Sequence, residues 1–153
     1  MQKLTHIDST GRARMVDVGG KPVTERIAVA KGEVHMKRMT FELIRDGALK
    51  KGDVLTVAQI AGIQAAKHAA NLIPLCHPLA LEHTEVRLHL CPGGIKCRSV
   101  IRSRGKTGVE MEALAAVSAA LLTVYDMCKA VDKKMCIKEI HLLEKKKGEV
   151  SRG

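Results

Sequence analysis

The sequence predicts an α+β fold of ferredoxin-like kind, in which an antiparallel sheet carries helices packed on one face. Three observations lead to this prediction. Apolar residues alternate over residues 84–90 and 95–103, on either side of a Pro-Gly-Gly turn, which predicts a hairpin. A helical pattern rich in Ala and Leu covers residues 109–131. The complete order of predicted elements is β-α-α-β-β-α-β, without a repeat or a low-complexity linker.

The first part of the chain is predicted to contain a loop, a strand and a short helix. Residues 9–25 are rich in Gly, Asp and Lys and show little periodicity, which predicts an irregular, mobile loop. Arg26–Met36 follows as a strand. Thr40 is expected to cap a short helix that runs through Ile44 and ends at Asp46-Gly47.

A longer helix is predicted next, with Asp53 as its N-cap and its end near Ala70. The hairpin and the Val109–Val131 helix come after it, and Met135–Leu143 closes the fold as a strand. Beyond that strand, Lys145–Gly153 is expected to form a solvated, frayed basic tail. The buried stripe of the longer helix is expected to consist of Val57, Ile60, Ala61 and Ile63.

Length and composition limit the class of protein. At 153 residues the chain is expected to form one domain over residues 1–153, with an aliphatic core because Phe41 and Tyr125 are its only aromatic residues. The five cysteines are an odd number and form no C-x-x-C pair, which argues against a disulfide framework or a zinc cage. No apolar run approaches the length of a membrane span, and the first residues lack the apolar region of a signal peptide. We therefore expect a cytoplasmic protein without a membrane partner.

The formal net charge of +10 indicates an anionic partner. One class of protein with this property is a non-enzymatic module that binds nucleic acid through its basic surface. Stacking platforms for single-stranded nucleic acid need aromatic faces, however, and this chain has almost none, so we expect no nucleic-acid partner. Basic residues near the motifs indicate instead a compact polyanion such as a nucleoside triphosphate: Lys51, Lys67, Arg102, Arg104, Lys106 and Lys129.

The most informative motif is Gly105–Leu114, a basic turn between two glycines that opens directly into a helix. Exposed N–H groups at a helix N-terminus favour anions, and Lys106 adds a cation beside them. Glu110 and Glu112 supply acceptors for the N–H edges of a base or for proton transfer. The alternative interpretation is that these two acidic residues only complement the helix dipole.

Two clusters contain candidate acids and bases. Lys51-Gly52-Asp53 places a lysine at a helix entrance, where it is either an acid or base in catalysis or an ordinary surface lysine. Asp126 and Lys129 lie at i and i+3 on one helix face, which is the spacing of a surface ion pair and also of a coupled acid–base pair.

A third cluster is the loop Pro74–Pro78, in which two prolines stiffen the backbone around Cys76 and His77. A Cys–His nucleophilic dyad is not expected, because adjacent residues in an extended loop point to opposite sides. Cys76 and His77 with His83 and Glu85 would be a candidate metal site, but the adjacent Cys-His pair cannot readily wrap one ion. The remaining interpretations are a functional histidine and a packed loop.

Together, six ordered blocks resemble the cyclic pyranopterin monophosphate synthases, the C proteins of molybdenum cofactor biosynthesis. The resemblance covers about residues 4 to 144. Two departures are visible, because Gly19 and Gly20 replace a usual Ser and Gln59 stands where a basic residue is common. The blocks are Met15–Val18, Lys51–Asp53, Ala61–Ile63, Leu72–Leu79, Gly105–Leu114 and Tyr125–Ala130.

The resemblance implies that a GTP already cyclised between its ribose and its base is rearranged to a pyranopterin with a cyclic phosphate, and that pyrophosphate leaves. It implies that Asp126 is the catalytic aspartate, Lys129 its partner and Lys51 the second catalytic lysine. Proton transfers by these groups require pKa values driven toward neutrality. The resemblance further implies a set of substrate-binding residues: Leu75, Cys76, His77, Met111 and Glu112, with Glu110, Lys67 and Arg26 close by.

The charge of the leaving pyrophosphate must be neutralised, for which Lys67, His77 and Lys106 are candidates. The resemblance implies no organic cofactor. Magnesium at the triphosphate is compatible with the chemistry, but the sequence shows no dedicated carboxylate cage for a metal.

Helix arithmetic predicts an active site shared between subunits. Glu112 and Asp126 lie fourteen residues apart on one predicted helix, and therefore roughly 21 Å apart along its axis. If the two long helices pack antiparallel, Lys51 joins Asp126 at one end while Lys67 and His77 join Glu112 at the other. Each chain then has a catalytic half-site and a binding half-site, which a two-fold dimer would complete. The resemblance implies a hexamer built as a trimer of such dimers.

Overall fold

A computed structural model describes residues 6–149, which form four strands and four helices. The predicted order β-α-α-β-β-α-β is confirmed, with one additional short helix after the second. The irregular loop before the first strand ends at Val23, so Thr24 and Glu25 belong to the strand rather than to the loop. The elements are β1 (Thr24–His35), α1 (Arg38–Arg45), α2 (Val54–Lys67), α3 (Ala69–Leu72), β2 (Leu81–Cys91), β3 (Gly94–Gly105), α4 (Glu110–Cys128) and β4 (Cys136–Gly148).

The strands form one sheet in the order β2-β3-β1-β4, and every neighbouring pair is antiparallel. β3 therefore lies between β1 and β2, which run parallel to each other. The helices pack on one face of this sheet, and the predicted α+β fold of ferredoxin-like kind is confirmed. The other face of the sheet is free of helices within the described residues.

The core between the sheet and the helices is aliphatic, as the composition predicts. Ile95 and Ile101 of β3 and Leu121 of α4 are fully buried in it. Two glycines allow α4 to approach its neighbours closely. A Cβ on Gly32 of β1 would lie 2.8 Å from a Val117 methyl carbon, and a Cβ on Gly62 of α2 would lie 2.9 Å from a backbone carbonyl oxygen of α4.

The predicted buried stripe of α2 is wrong. Val57 and Ile60 are 43% and 55% exposed, and Ala61 and Ile63 are only half-buried. The face that packs on the sheet and α4 is made of smaller residues, because α2 lies so close to α4 that larger side chains have no room. The buried residues of α2 are Val54, Ala58, Gly62 and Ala66.

The ends of α1 and α2 also differ from the prediction. Asp53 caps α2 as predicted and accepts a hydrogen bond from the Thr56 N–H at 3.1 Å, but α2 ends at Lys67 and the chain continues into α3. Thr40 does not cap α1. It is buried inside the helix, and its hydroxyl donates to Asp132 at 3.2 Å.

The predicted basic tail begins too early. Residues 145–148 belong to β4 and pair with β1 from Ala28 to Glu25, so this basic run is part of the sheet. Only residue 149 of the remaining tail lies within the described residues. The sequence pattern does not separate a solvated tail from an edge strand, because both are polar.

The prediction that no apolar run has the length of a membrane span is wrong for α4. Within residues 6–149, α4 is the one helix long and apolar enough to cross a membrane by length and composition. Half of it is buried inside the fold, against α2 and the sheet, which is the position of a core helix.

Candidate active site

Three predicted catalytic residues meet at the C-terminal end of α4. Asp126 lies in the last turn of α4, and Lys129 is its C-cap residue. The Lys129 ammonium donates to Asp126 Oδ1 at 2.6 Å. Lys51, in the turn before α2, donates to the Asp126 backbone oxygen at 3.0 Å and to its Oδ2 at 3.5 Å. The fold thus brings together residues that are 75 positions apart in the chain.

All three side chains of this catalytic cluster are open to solvent, with exposed fractions of 48% for Lys51, 59% for Asp126 and 55% for Lys129. The hydrogen bond from Lys129, followed by the charges of Lys129 and Lys51, lowers the pKa of Asp126. The same bond raises the pKa of Lys129. The expectation that these pKa values move toward neutrality is wrong for Asp126 and Lys129 in the single chain, because each stabilises the charged form of the other.

A cavity of about 690 Å³ lies at the opposite end of α4. Five of the predicted substrate-binding residues line it: Leu75, Cys76, His77, Glu110 and Met111. Residues that the sequence analysis did not assign to the site also line it, and several come from the loop before β1. These are His6, Val16, Val18, Lys21, Ile73, Thr107 and Gly108. The Met15–Val18 block was the one sequence signal that pointed to this loop.

Glu112 lies behind the cavity in the first turn of α4 and is only 3% exposed. Its Oε2 has no hydrogen-bond partner among the described residues, and its Oε1 lies 3.9 Å from the Cys76 thiol, which donates to it. Burial, and to a smaller extent the charge of Glu110, raises the pKa of Glu112. Burial and then the carboxylate of Glu112 raise the pKa of Cys76, which argues against a thiolate nucleophile.

Lys106 of the Gly105–Leu114 motif is bonded both to the loop before β1 and to Arg26 of β1. The Lys106 ammonium donates to the Gly19 carbonyl oxygen at 2.6 Å, so Gly19 contributes its backbone to this contact. The Arg26 guanidinium donates to the Lys106 carbonyl oxygen at 3.4 Å, while its buried Nε has no partner among the described residues. Lys106 is therefore half-buried and anchored, rather than a mobile cation.

A smaller basic cavity of about 280 Å³ lies beside the first. Arg26 and Glu110 line it, together with three lysines of β4 that the sequence analysis assigned to a tail. The Lys145 ammonium lies 3.4 Å from Glu110 Oε1. These lysines are Lys145, Lys146 and Lys147.

One predicted site residue, Lys67, and one departure from the family's pattern, Gln59, stand apart from both clusters. Lys67 is the exposed last residue of α2 and lines neither cavity. Gln59, the departure from a basic residue, donates to the Val86 carbonyl oxygen at 2.9 Å and so ties α2 to β2. As for the candidate metal site of Cys76, His77, His83 and Glu85, the described part of the chain contains no group of three or more His, Cys, Asp or Glu side chains placed to hold a metal.

The catalytic cluster lies at one end of the α2–α4 helix pair, and the larger cavity lies at the other end. Lys51 contacts the end of α4, and Gly62 contacts its middle at Ala116, so α2 and α4 run antiparallel as predicted. Glu112 and Asp126 lie fourteen positions apart within the continuous helix α4, which separates them by about 21 Å along its axis. The structure therefore shows two separate clusters of predicted site residues in one chain.

Comparison with known proteins identifies the family. The model of the MoaC family matches residues 15–148. The cyclic pyranopterin monophosphate synthase of Desulfitobacterium hafniense is 55% identical over 147 residues, which cover 95% of this chain and 90% of that protein. The cyclic pyranopterin monophosphate synthase of Novosphingobium aromaticivorans is 57% identical over 148 residues, which cover 97% of this chain and 94% of that protein. This chain belongs to the MoaC family.

Proposed function

We propose that the protein is a cytoplasmic cyclic pyranopterin monophosphate synthase, a lyase of molybdenum cofactor biosynthesis. It converts a GTP that is already cyclised between ribose and base to cyclic pyranopterin monophosphate, and it releases pyrophosphate. The observation that carries the proposal is the contact of Lys51 and Lys129 with one carboxylate, Asp126, in a chain whose relatives bear this enzyme's name.

The catalytic cluster supplies both a base and two acids. Because the pKa of Asp126 is lowered and that of Lys129 is raised, Asp126 is ionised and Lys129 is protonated at neutral pH. Asp126 is thus in the form that accepts a proton, and Lys129 is in the form that donates one. Bound substrate and a covering second chain would remove water from this cluster, and that desolvation would bring the two pKa values toward neutrality. Opening the dihydropurine ring and closing the pyranopterin ring both need such paired transfers.

The binding half-site matches the other parts of the substrate. Glu110 and Glu112 are acceptors for the N–H edge of a guanine-derived ring, and burial of Glu112 strengthens such a bond. Lys21 and His77 in the larger cavity and Arg26 in the smaller one provide donors for phosphate oxygens. We propose that no organic cofactor takes part and that magnesium, if it assists, arrives with the triphosphate.

We further propose that a second copy of the chain completes the site. The reacting ring and its acid–base groups must touch, whereas the two half-sites of one chain are about 21 Å apart. A two-fold axis near Ala119, midway between Glu112 and Asp126, would place Asp126 of one chain opposite Glu112 of its partner. Each dimer would then hold two complete sites, and three dimers would form the expected hexamer.

The outer face of α4 supports this arrangement. Met111, Ala115, Ala119, Leu122 and Asp126 recur at helical spacing and lie on one side of the helix, none of them buried. Leu122 is 61% exposed, and the neighbouring helix α2 exposes Val57 and Ile60 on its own outer side. This apolar strip connects the cavity to the catalytic cluster, and a partner helix would cover it.

The test is to offer the purified protein the cyclised GTP and to measure a pyranopterin product and pyrophosphate, with and without added chelator. We expect one pyrophosphate for each pyranopterin formed. Absence of turnover by a folded, oligomeric protein would refute the enzymatic function.

A further inference from the structure

The helix-free face of the sheet carries a row of basic side chains that crosses all four strands. Arg87 of β2 is directly opposite Arg98 of β3, Arg98 is opposite Lys31 of β1, and Lys31 is opposite His141 of β4. Neighbouring strands lie about 4.8 Å apart, so these side chains are close neighbours. Like charges directly opposite each other destabilise a sheet, and this row therefore has a cost in stability.

Acidic neighbours only partly offset the cations at the centre of this row, because Glu33 of β1 is directly opposite Lys96 of β3 and interacts with its charge. Arg87 is paired with Glu85 at 3.0 Å, but no ion pair within residues 6–149 involves Lys31, Lys96 or Arg98. All three are exposed, and Lys96 lies two positions before Arg98 on the same face of β3. The result is a compact group of three cations without an ion-pair partner in that range, which we call the sheet-face cluster.

The sheet-face cluster surrounds a cavity of about 270 Å³. Lys31, Lys96 and Arg98 line it together with His89 and two carboxylates, those of Glu33 and Glu139. Glu33 is hydrogen-bonded to the His35 ring at 2.9 Å, lies 3.8 Å from the Lys138 ammonium and is directly opposite Lys96. With Lys138 included, four cations therefore face two carboxylates at this cavity.

The backbone at this cavity is irregular. Glu139 has φ +56°, the one positive φ of a non-glycine residue in the described chain. The pairing of β1 with β4 shifts register between Lys31 and Glu33, so a bulge in β4 opens the sheet at this point. Strained backbone conformations and bulges lower the stability of a fold, and they occur frequently at binding sites.

We propose that the sheet-face cluster is a second anion site, separate from the two half-sites, which binds a diphosphate group. The group is either free pyrophosphate or the phosphate arm of a nucleotide. Three convergent cations around a small cavity suit a compact, multiply charged oxyanion. Phe41 and Tyr125 lie on α1 and α4, on the other side of the sheet, so the open face has no aromatic platform for nucleic acid.

The experiment is calorimetric titration of the full-length protein with inorganic pyrophosphate, GTP and guanosine. The test variant is Lys31→Gln/Arg98→Gln. Its charge-matched control is Arg38→Gln/Lys133→Gln, which removes two exposed cations outside the sheet. Both are also made in a His77→Ala/Lys106→Ala background, so that phosphate binding at the active cavity does not mask the second site.

In that background we expect the control to bind pyrophosphate and the test variant to bind it about 100-fold more weakly, roughly tenfold for each charge-assisted hydrogen bond that the substitutions remove. Guanosine should not bind. Equal affinity of pyrophosphate and GTP would assign the site to the diphosphate group alone, and GTP binding more than tenfold tighter would assign it to a nucleotide. Equal pyrophosphate affinity of test variant and control would overturn the proposal, as would binding of single-stranded RNA but not of pyrophosphate.

Thermal denaturation distinguishes a loss of pyrophosphate binding from a loss of folding in the test variant. Without ligand, Lys31→Gln/Arg98→Gln should melt at or above the wild-type temperature, because the substitution relieves repulsion within the row. Pyrophosphate should raise the melting temperature of the control but not of the test variant. A test variant that responds to pyrophosphate as the control does would contradict the site.

Discussion

Two carboxylates on one helix have opposite environments. Asp126 is exposed, and the hydrogen bond from Lys129 lowers its pKa. Glu112 is buried, and burial raises its pKa. Groups whose pKa values are driven apart take different roles. We therefore propose that Asp126 transfers protons and that Glu112 recognises ring N–H groups.

Replacing Asp126, Lys129 or Lys51 individually by Ala should abolish turnover and leave folding unchanged, because each side chain is about half exposed and none belongs to the core. Turnover of the cyclised GTP and thermal denaturation measure the two effects. Lys50→Ala, which removes the exposed neighbour of Lys51, is the matched control and should retain activity. Full activity in all three catalytic variants would refute the assignment.

Glu112→Gln should stabilise the free protein and impair the enzyme. The substitution removes a buried carboxyl group whose Oε2 has no partner among the described residues. At a pH above the folded pKa of Glu112, where this group is charged, the free energy of unfolding should therefore rise by about 1 kcal/mol. Because the pKa of folded Glu112 is raised, this penalty is fully present above the folded pKa, declines as the pH falls through it and is gone below the unfolded pKa of about 4.3, where wild type and variant should become equally stable.

Urea denaturation at pH 7 and at acidic pH measures the stability effect of Glu112→Gln, and steady-state kinetics measure its effect on the enzyme. KM should rise at least as much as kcat falls, because Glu112 belongs to the binding half-site. The same result is expected for His77→Ala. A loss of kcat with unchanged KM would count against a binding role for these residues.

At the scale of elements, one buried aspartate holds two connections together. The Asp132 carboxylate follows α4 and accepts from the Lys37 N–H at 2.9 Å, the Lys134 N–H at 3.0 Å and the Thr40 hydroxyl at 3.2 Å. It thereby joins the start of α1 to the turn before β4. The backbone bond from Lys37 is the main reason that the pKa of Asp132 is lowered. An Asp shortly after a helix was the sequence signal for such a turn.

Asp132→Ala should lower the free energy of unfolding by about 2 kcal/mol at neutral pH, because it leaves the buried Thr40 hydroxyl and the part-buried N–H groups of Lys37 and Lys134 without an acceptor. Since the folded-state pKa is depressed, this stabilisation is present above the unfolded pKa of about 3.9 and is lost as the pH falls through the folded value. Denaturation of both proteins across this range measures the difference. Asp46→Ala, at an exposed aspartate, should change little, and an equal effect of the two substitutions would contradict the assignment.

At the scale of the whole molecule, the two faces have different roles in the proposed assembly: the helix-covered face forms the dimer, and the open face of the sheet remains in solvent. The helix side exposes apolar residues that a second copy would cover, and the open side exposes like charges that repel a second copy. The sheet-face cluster would therefore stay accessible in a dimer formed through the helices.

Mixing inactive Asp126→Ala protein with inactive Glu112→Ala protein should restore turnover, because a mixed dimer contains one site with both residues intact. Subunits are exchanged, and exchange is verified with a tagged chain before turnover is measured. A mixture of Asp126→Ala with Lys129→Ala is the control and should stay inactive, since both changes fall in the same half-site. An inactive first mixture despite complete exchange would rule out the shared site.

Local patterns in the sequence determined the element order, the aliphatic core and the positions of the family's motifs. Alternation, helical spacing and caps act over a few residues, so they can be read without the fold. Arithmetic along one helix also separated Glu112 from Asp126 correctly. The buried face of α2 could not be read in this way, because Val57 and Ile60 are apolar in either environment.

Tertiary structure alone decided which distant groups meet and what their surroundings do to them. The contact of Lys51 with Asp126 depends on antiparallel packing of α2 on α4, and the basic row depends on the register of four strands. The pKa shifts of Asp126 and Glu112 depend on burial and on neighbours brought close by folding. A one-dimensional pattern records residue types but not the distances between them, and electrostatic interactions depend on those distances.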